Sequence, residues 1–160
     1  MQLSIEIPLK TYEVYKLFRL KIGNKRFFIE AVLRKLNTIY MQPEIYQKVT
    51  KDLLALTDQF TKEAAYFEKM LNKKPHIQAK NISVNTQFHP RIMANNKSDL
   101  LLVEFIQSYD KLIATVKLLH LAGCFESKDA YYANFRSIQK IGNRMFSQIL
   151  LLPREPKNIK

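Results

Sequence analysis

The chain has 160 residues, enough for one ordinary domain with its own core, and an apolar content of 47 % excludes an intrinsically disordered chain. Its 26 Lys and Arg against 14 Asp and Glu give a net charge of +12, a field that favours phosphate-rich partners such as nucleic acid. A single cysteine, Cys124, excludes an internal disulfide, and no apolar run reaches the ~18 residues of a spanning helix, so no membrane role and a cytoplasmic, nucleoid- or plasmid-associated location are expected.

Charge is uneven along the chain. Residues 1–40 hold eight basic and three acidic residues, net +5, whereas residues 41–75 are almost neutral at net +1. Gln2 to Ile7 alternates polar and apolar, the period-2 pattern of a half-buried strand, and Pro8 ends it. Leu3, Ile5 and Ile7 then face a core, while Gln2, Ser4 and Glu6 face outward. Leu9 to Ile22 has helical composition, Gly23-Asn24 breaks the chain, and Lys25 to Tyr40 resumes as helix. A lone strand needs a partner. The same strand of a second copy is one, giving a dimeric ribbon; a short strand at Asn81–Asn85 is the other, giving a small intrachain sheet.

Pro43 opens a helix of roughly thirty residues, because Ile45, Val49, Leu53, Leu56, Phe60, Ala64, Phe67 and Leu71 recur at steps of three and four. Lys73-Lys74-Pro75 closes it. Phe88-His89-Pro90 and Ala94-Asn95-Asn96 read as loop. Ser98 is placed to cap a central helix with Leu101, Phe105, Tyr109, Leu112, Val116 and Leu119 on its buried face, widened by Leu102, Ile106 and Ile113. Gly123 ends that helix, and Ser127 caps a last one whose stripe is Tyr131, Phe135, Ile138, Ile141, Met145 and Ile149. Pro153 stops it ahead of a basic tail. The expected architecture is mainly α, with a strand–helix–helix unit over 1–40, a bundle of three long helices over 41–152 with one short extra strand, and a flexible tail over 153–160.

The candidate chemistry is recognition, not catalysis. A two-stranded ribbon fits the major groove, where Gln binds adenine bidentately, Ser bonds either base and Glu accepts from cytosine, so Gln2, Ser4 and Glu6 are candidate base readers. Glu6 repels phosphates and therefore needs a donor or cation beside it. Asn24, Lys25 and Arg26 place a capping residue and two cations at an expected helix start, where exposed amides attract a phosphate; with Lys10 they are the candidate phosphate contacts. His76, His89 and His120 are scattered and form no metal set, and Cys124 has no nearby base. Asp110 sits among apolar neighbours, where it is expected to pair with a cation or cap a carbonyl-rich network. No cofactor is expected.

Leu3 to Pro8, Gly23-Asn24 and Ile29 to Leu33 together resemble the ribbon-helix-helix DNA-binding proteins, although this strand carries no cation. That resemblance implies base contacts from Gln2, Ser4 and Glu6 and phosphate contacts from Asn24 to Arg26. Ile82-Ser83-Val84 with Phe88, Leu101 to His120 with Asp110, and Arg136 through Gly142-Asn143-Arg144-Met145-Phe146 are similar to accessory proteins of integrating conjugative elements and conjugative plasmids, which include the AcaB-type transcriptional regulators. The resemblance implies a conjugation-linked bacterial protein with transcriptional regulation as its best-defined role. Taken with the strand–helix–helix unit and the basic charge, the expected protein is a non-enzymatic, homodimeric regulator bound to double-stranded DNA. The alternative is a helical interaction module of the transfer machinery, bound to a protein partner and touching DNA non-specifically.

Overall fold

The computed structural model describes residues 2–23, 26–74 and 84–153. In chain order the elements are β1 (Leu3–Glu6), α1 (Tyr12–Arg19), β2 (Lys21–Ile22), β3 (Arg26–Phe27), α2 (Phe28–Ile39), α3 (Pro43–Asn72), β4 (Arg91–Ala94), α4 (Lys97–Leu121) and α5 (Lys128–Leu150). The protein is mainly α. Among the described residues, no helix is long and apolar enough to cross a membrane.

The three long helices follow the apolar periodicity closely. α3 runs for 30 residues from Pro43, with Val49, Leu53, Phe60, Ala64 and Leu71 buried on its stripe. α4 is the centre of the core: Leu102, Phe105, Ile106, Leu112, Ile113, Val116 and Leu119 have no accessible surface. Its N-cap is Asn96, two residues before the expected Ser98, and the Asn96 side chain accepts from the amides of Ser98 and Asp99. Gly123 adopts φ +73° just past its end, a conformation glycine reaches without a Cβ penalty. Ser127 caps α5 by accepting from the Ala130 amide. α5 approaches α4 closely at Gly142, where a Cβ would lie 2.6 Å from the Tyr109 ring. The Tyr109 hydroxyl donates to Asn143 Oδ1 at 3.1 Å beside that contact.

The N-terminal quarter departs from expectation in three ways. First, α1 is only eight residues long, Tyr12–Arg19, and α2 begins at Phe28 instead of Lys25. Lys21–Ile22 and Arg26–Phe27 instead pair as a minimal antiparallel hairpin, so Arg26 lies on a strand rather than at a helix start. Asn24 and Lys25 lie outside the described residues. Second, β1 pairs antiparallel with β4 of the same chain, Leu3 opposite Ala94 and Glu6 opposite Arg91. Along this edge the intrachain partner replaces the expected symmetry mate. The reason is complementary alternation: Ile92 and Ala94 turn inward on β4 as Ile5 and Ile7 do from the β1 side, and Arg91 and Met93 turn outward. The expected second strand at Asn81–Asn85 falls partly outside the described residues, and the strand forms at Arg91–Ala94, within a stretch read as loop on either side. Third, Leu3, expected to face the core, is 57 % exposed.

A single buried carboxylate fastens this unit to the bundle. Asp110, on α4, accepts from the Lys10 amide at 2.7 Å, the Thr11 amide at 2.9 Å and the Thr11 hydroxyl at 2.7 Å. Thr11 is itself the N-cap of α1, accepting from the Val14 amide. Burial raises the Asp110 pKa, and the three donors oppose that rise. Nearby, Glu13 of α1 pairs with Lys117 of α4. The Asp110→Ala variant leaves two amides and a hydroxyl unpartnered in the interior. It is expected to lose about 3 kcal/mol or more of unfolding free energy by denaturant titration, given ~1–3 kcal/mol for each orphaned group.

Asp99 is a second fully buried carboxylate, accepting from the Asn95 amide at 2.8 Å and facing the Asn37 amide group. Burial raises its pKa above the ordinary 3.8. An acid with a raised folded-state pKa stabilises fully below the unfolded value and loses that contribution as pH climbs through the folded value. Asp99→Asn should therefore gain on the wild type as pH rises from the acid range to neutrality. Thermal unfolding across pH checks this, and a constant difference between the two proteins would refute it.

Candidate nucleic-acid interface

β1 and β4 form a two-stranded ribbon with a polar outer face. Ile7 donates its amide to the Pro90 carbonyl at 2.8 Å, and Leu9 exchanges backbone bonds with Phe88. Bonded pairs alternate along an antiparallel ladder, so Ser4 and Glu6 turn their backbone groups to the opposite, open edge. Their side chains join Arg91 and Met93 on the outward face. Arg91 Nε donates to Ser4 Oγ at 3.0 Å. His89 Nδ1 lies 3.1 Å from Glu6 Oε1.

Beside this ribbon lies an open groove of about 1340 Å³. One side carries Gln2, Ser4 and Arg91 from the ribbon; α1, the β2–β3 hairpin and α2 supply Arg19, Arg26, Arg34 and Lys35. Glu30 is the one carboxylate among its described lining residues. Arg19, Arg26 and Arg34 make no ion pair among the described residues. Lys35 donates to the Leu152 carbonyl at 2.6 Å, holding the end of α5 against α2. Tyr15, Phe18 and Phe27 add aromatic surface; Tyr15 stacks on Phe88 at 4.4 Å, and Lys21 lies 5.5 Å from the Phe27 ring centre. Planar guanidinium groups match phosphate oxygens in pairs, which suits such a lining to a polyanion.

The structure thus brings Gln2, Ser4 and Arg26 to one concavity. Glu6 shares the ribbon face but does not line the groove. Lys10 does not line it either, and its amide belongs to the Asp110 clamp. Arg91 had no place in the sequence reading. It supplies from the neighbouring strand the cation that β1 lacks, and its signal is the weak alternation of Arg91-Ile92-Met93-Ala94 after Pro90.

His120 stacks flat on Tyr131 with ring centres 3.9 Å apart, and Cys124 is half-buried. His76 lies outside the described residues. Among the described residues, no three His, Cys, Asp or Glu side chains are grouped to hold a metal ion.

No family model matches the chain, and no curated protein sequence does. Among solved structures, the crystal structure of selenomethionine-containing AcaB from uropathogenic E. coli aligns over 93 % of this chain and 81 % of AcaB, with a TM-score of 0.51 and 17 % identity. At that identity the likeness is one of backbone architecture, and the chain has an AcaB-like fold.

Proposed function

We propose that this protein is a DNA-binding transcriptional regulator of a conjugative element. It holds double-stranded DNA through the arginines of the groove and reads bases with the outer face of the β1–β4 ribbon. The carrying observation is the convergence of Arg19, Arg26, Arg34 and Arg91 with Gln2 and Ser4 on one groove. Arginines without acidic partners are costly to gather unless an anion occupies the space between them. The AcaB-like fold is consistent with this reading, and no catalytic step belongs to it.

The ribbon is built within one chain, so a single copy presents both strands to the major groove. A homodimer belongs to the same proposal, with a second copy pairing along the edge to which Ser4 and Glu6 turn their backbone groups. Sedimentation of the chain as a monomer at micromolar concentration would remove that part.

A second reading is supported by the intrachain pairing of β1 with β4 and by the half-exposed Leu20, Ile22 and Phe27 around the hairpin. In it the ribbon is structural, the hairpin docks a protein of the transfer machinery, and DNA contact is non-specific.

Two sets of variants separate the readings. Arg26→Gln with Arg34→Gln should weaken binding to every duplex and flatten the slope of log K against log salt by roughly 1.8, at about 0.9 per phosphate. Gln2→Ala and Ser4→Ala should instead reduce discrimination between promoter fragments of the element and random duplex, with about 1–3 kcal/mol at stake for a bidentate contact. Strand variants that keep the full preference of the wild type would favour the interaction module.

A further inference from the structure

α5 carries a charge pattern that the groove does not use. Between Lys128 and Leu150 four cations meet one carboxylate, Asp129. Arg136, Lys140 and Arg144 follow at four-residue steps, and all three are exposed. Such steps stack side chains along one helix face, about 6 Å apart along the axis. Tyr132 extends the row by one step and is 41 % exposed, with the Arg136 guanidinium 5.8 Å from its ring centre. Exposed Gln148 extends it at the other end. None of the three cations has an ion pair among the described residues.

Like charges four residues apart weaken a helix, and this row contains two such pairs. The other long helix with a broad wet face shows what solvation alone produces. α3 sets Lys48, Lys51, Lys62 and Lys69 against Glu44, Asp52, Asp58, Glu63 and Glu68, with Lys62 and Asp58 in contact at 2.8 Å. α5 takes the repulsion without acids to relieve it. Its opposite face holds Tyr131, Ile138, Met145 and Ile149 in the core, so the row is fixed in place.

We infer that the outer face of α5 is a second DNA contact, in which Arg136, Lys140 and Arg144 bind the phosphate backbone of a duplex. Three cations over about 12 Å meet about three successive phosphates of one strand. Beside them stand Ser137, Ser147 and Gln148, which donate hydrogen bonds to phosphate oxygens. A bilayer fits less well. Helices that lie on membranes insert an apolar face, and the apolar face of α5 is already buried in the core. The inference stands on the charge row and shares with the proposed function only the class of partner.

The test uses the full chain carrying Arg136→Gln, Lys140→Gln and Arg144→Gln, titrated with a labelled random-sequence duplex over a salt series. The slope of log K against log salt should become shallower by roughly 2.7, at about 0.9 per phosphate. The melting temperature should stay level or rise, because repulsion is removed. Lys140→Glu alone should lower the slope in the same direction and guards against loss of fold in the triple variant. An unchanged slope in both variants overturns the inference, whatever the groove variants do. A lowered slope here with inert groove variants upholds the inference and removes the groove from the proposed function. Lost binding to phosphatidylserine vesicles, or to single strands, with the duplex slope intact also overturns it.

Discussion

The groove depends on Asp110 taking three donors at the start of α1. That carboxylate is buried, in no ion pair among the described residues, and what it accepts are two backbone amides and one hydroxyl. The helix cap of α1 and the tie between α1 and α4 are therefore one device. Because Lys10 and Thr11 follow directly on the ribbon, fixing them fixes where β1 leaves the sheet and where α1 enters the core. The Glu13–Lys117 pair, two residues further along α1 and about two turns further along α4, repeats the attachment at a half-buried position. Arg19, at the end of α1, takes its place in the groove from this anchor.

The long helices were legible because a stripe of many residues averages out local exceptions. Eight apolar positions on α3 and nine on α4 agree on one period, and core burial follows them. Asp110 was half legible: its apolar neighbours announced burial, but two of its three partners are main-chain amides, which have no side-chain signature. The N-terminal unit was harder. Two-residue strands such as Lys21–Ile22 and Arg26–Phe27 are too short for any period to register. β4 is hard to see in sequence because four residues after a proline carry almost no pattern, and its pairing with β1 depends on a contact almost ninety residues away.

The candidate site was legible in kind rather than in layout. Alternation alone assigns Gln2, Ser4 and Glu6 to the outward face, and all three are exposed. The phosphate contacts were sought at a helix start, but a hairpin occupies that place and Arg26 reaches the groove from a strand. Arg91 and Arg34 could not be joined to the site before the fold brought α2 and β4 to opposite sides of it. Charge density marks a region in sequence, whereas the shape that makes it a binding surface comes from long-range pairing.

That long-range pairing also sets when the surface comes into being. Residue 3 waits for residue 94, and residues 10 and 11 wait for residue 110. On the ribosome residues 3–11 emerge before residues 91–94 and 110, so they have neither their sheet partner nor their anchor until those have been made. Closing loops of that length before any contact rewards them places the ribbon late among the folding events. A nascent chain thus presents unorganised positive charge, and its groove forms only after α4 has been completed.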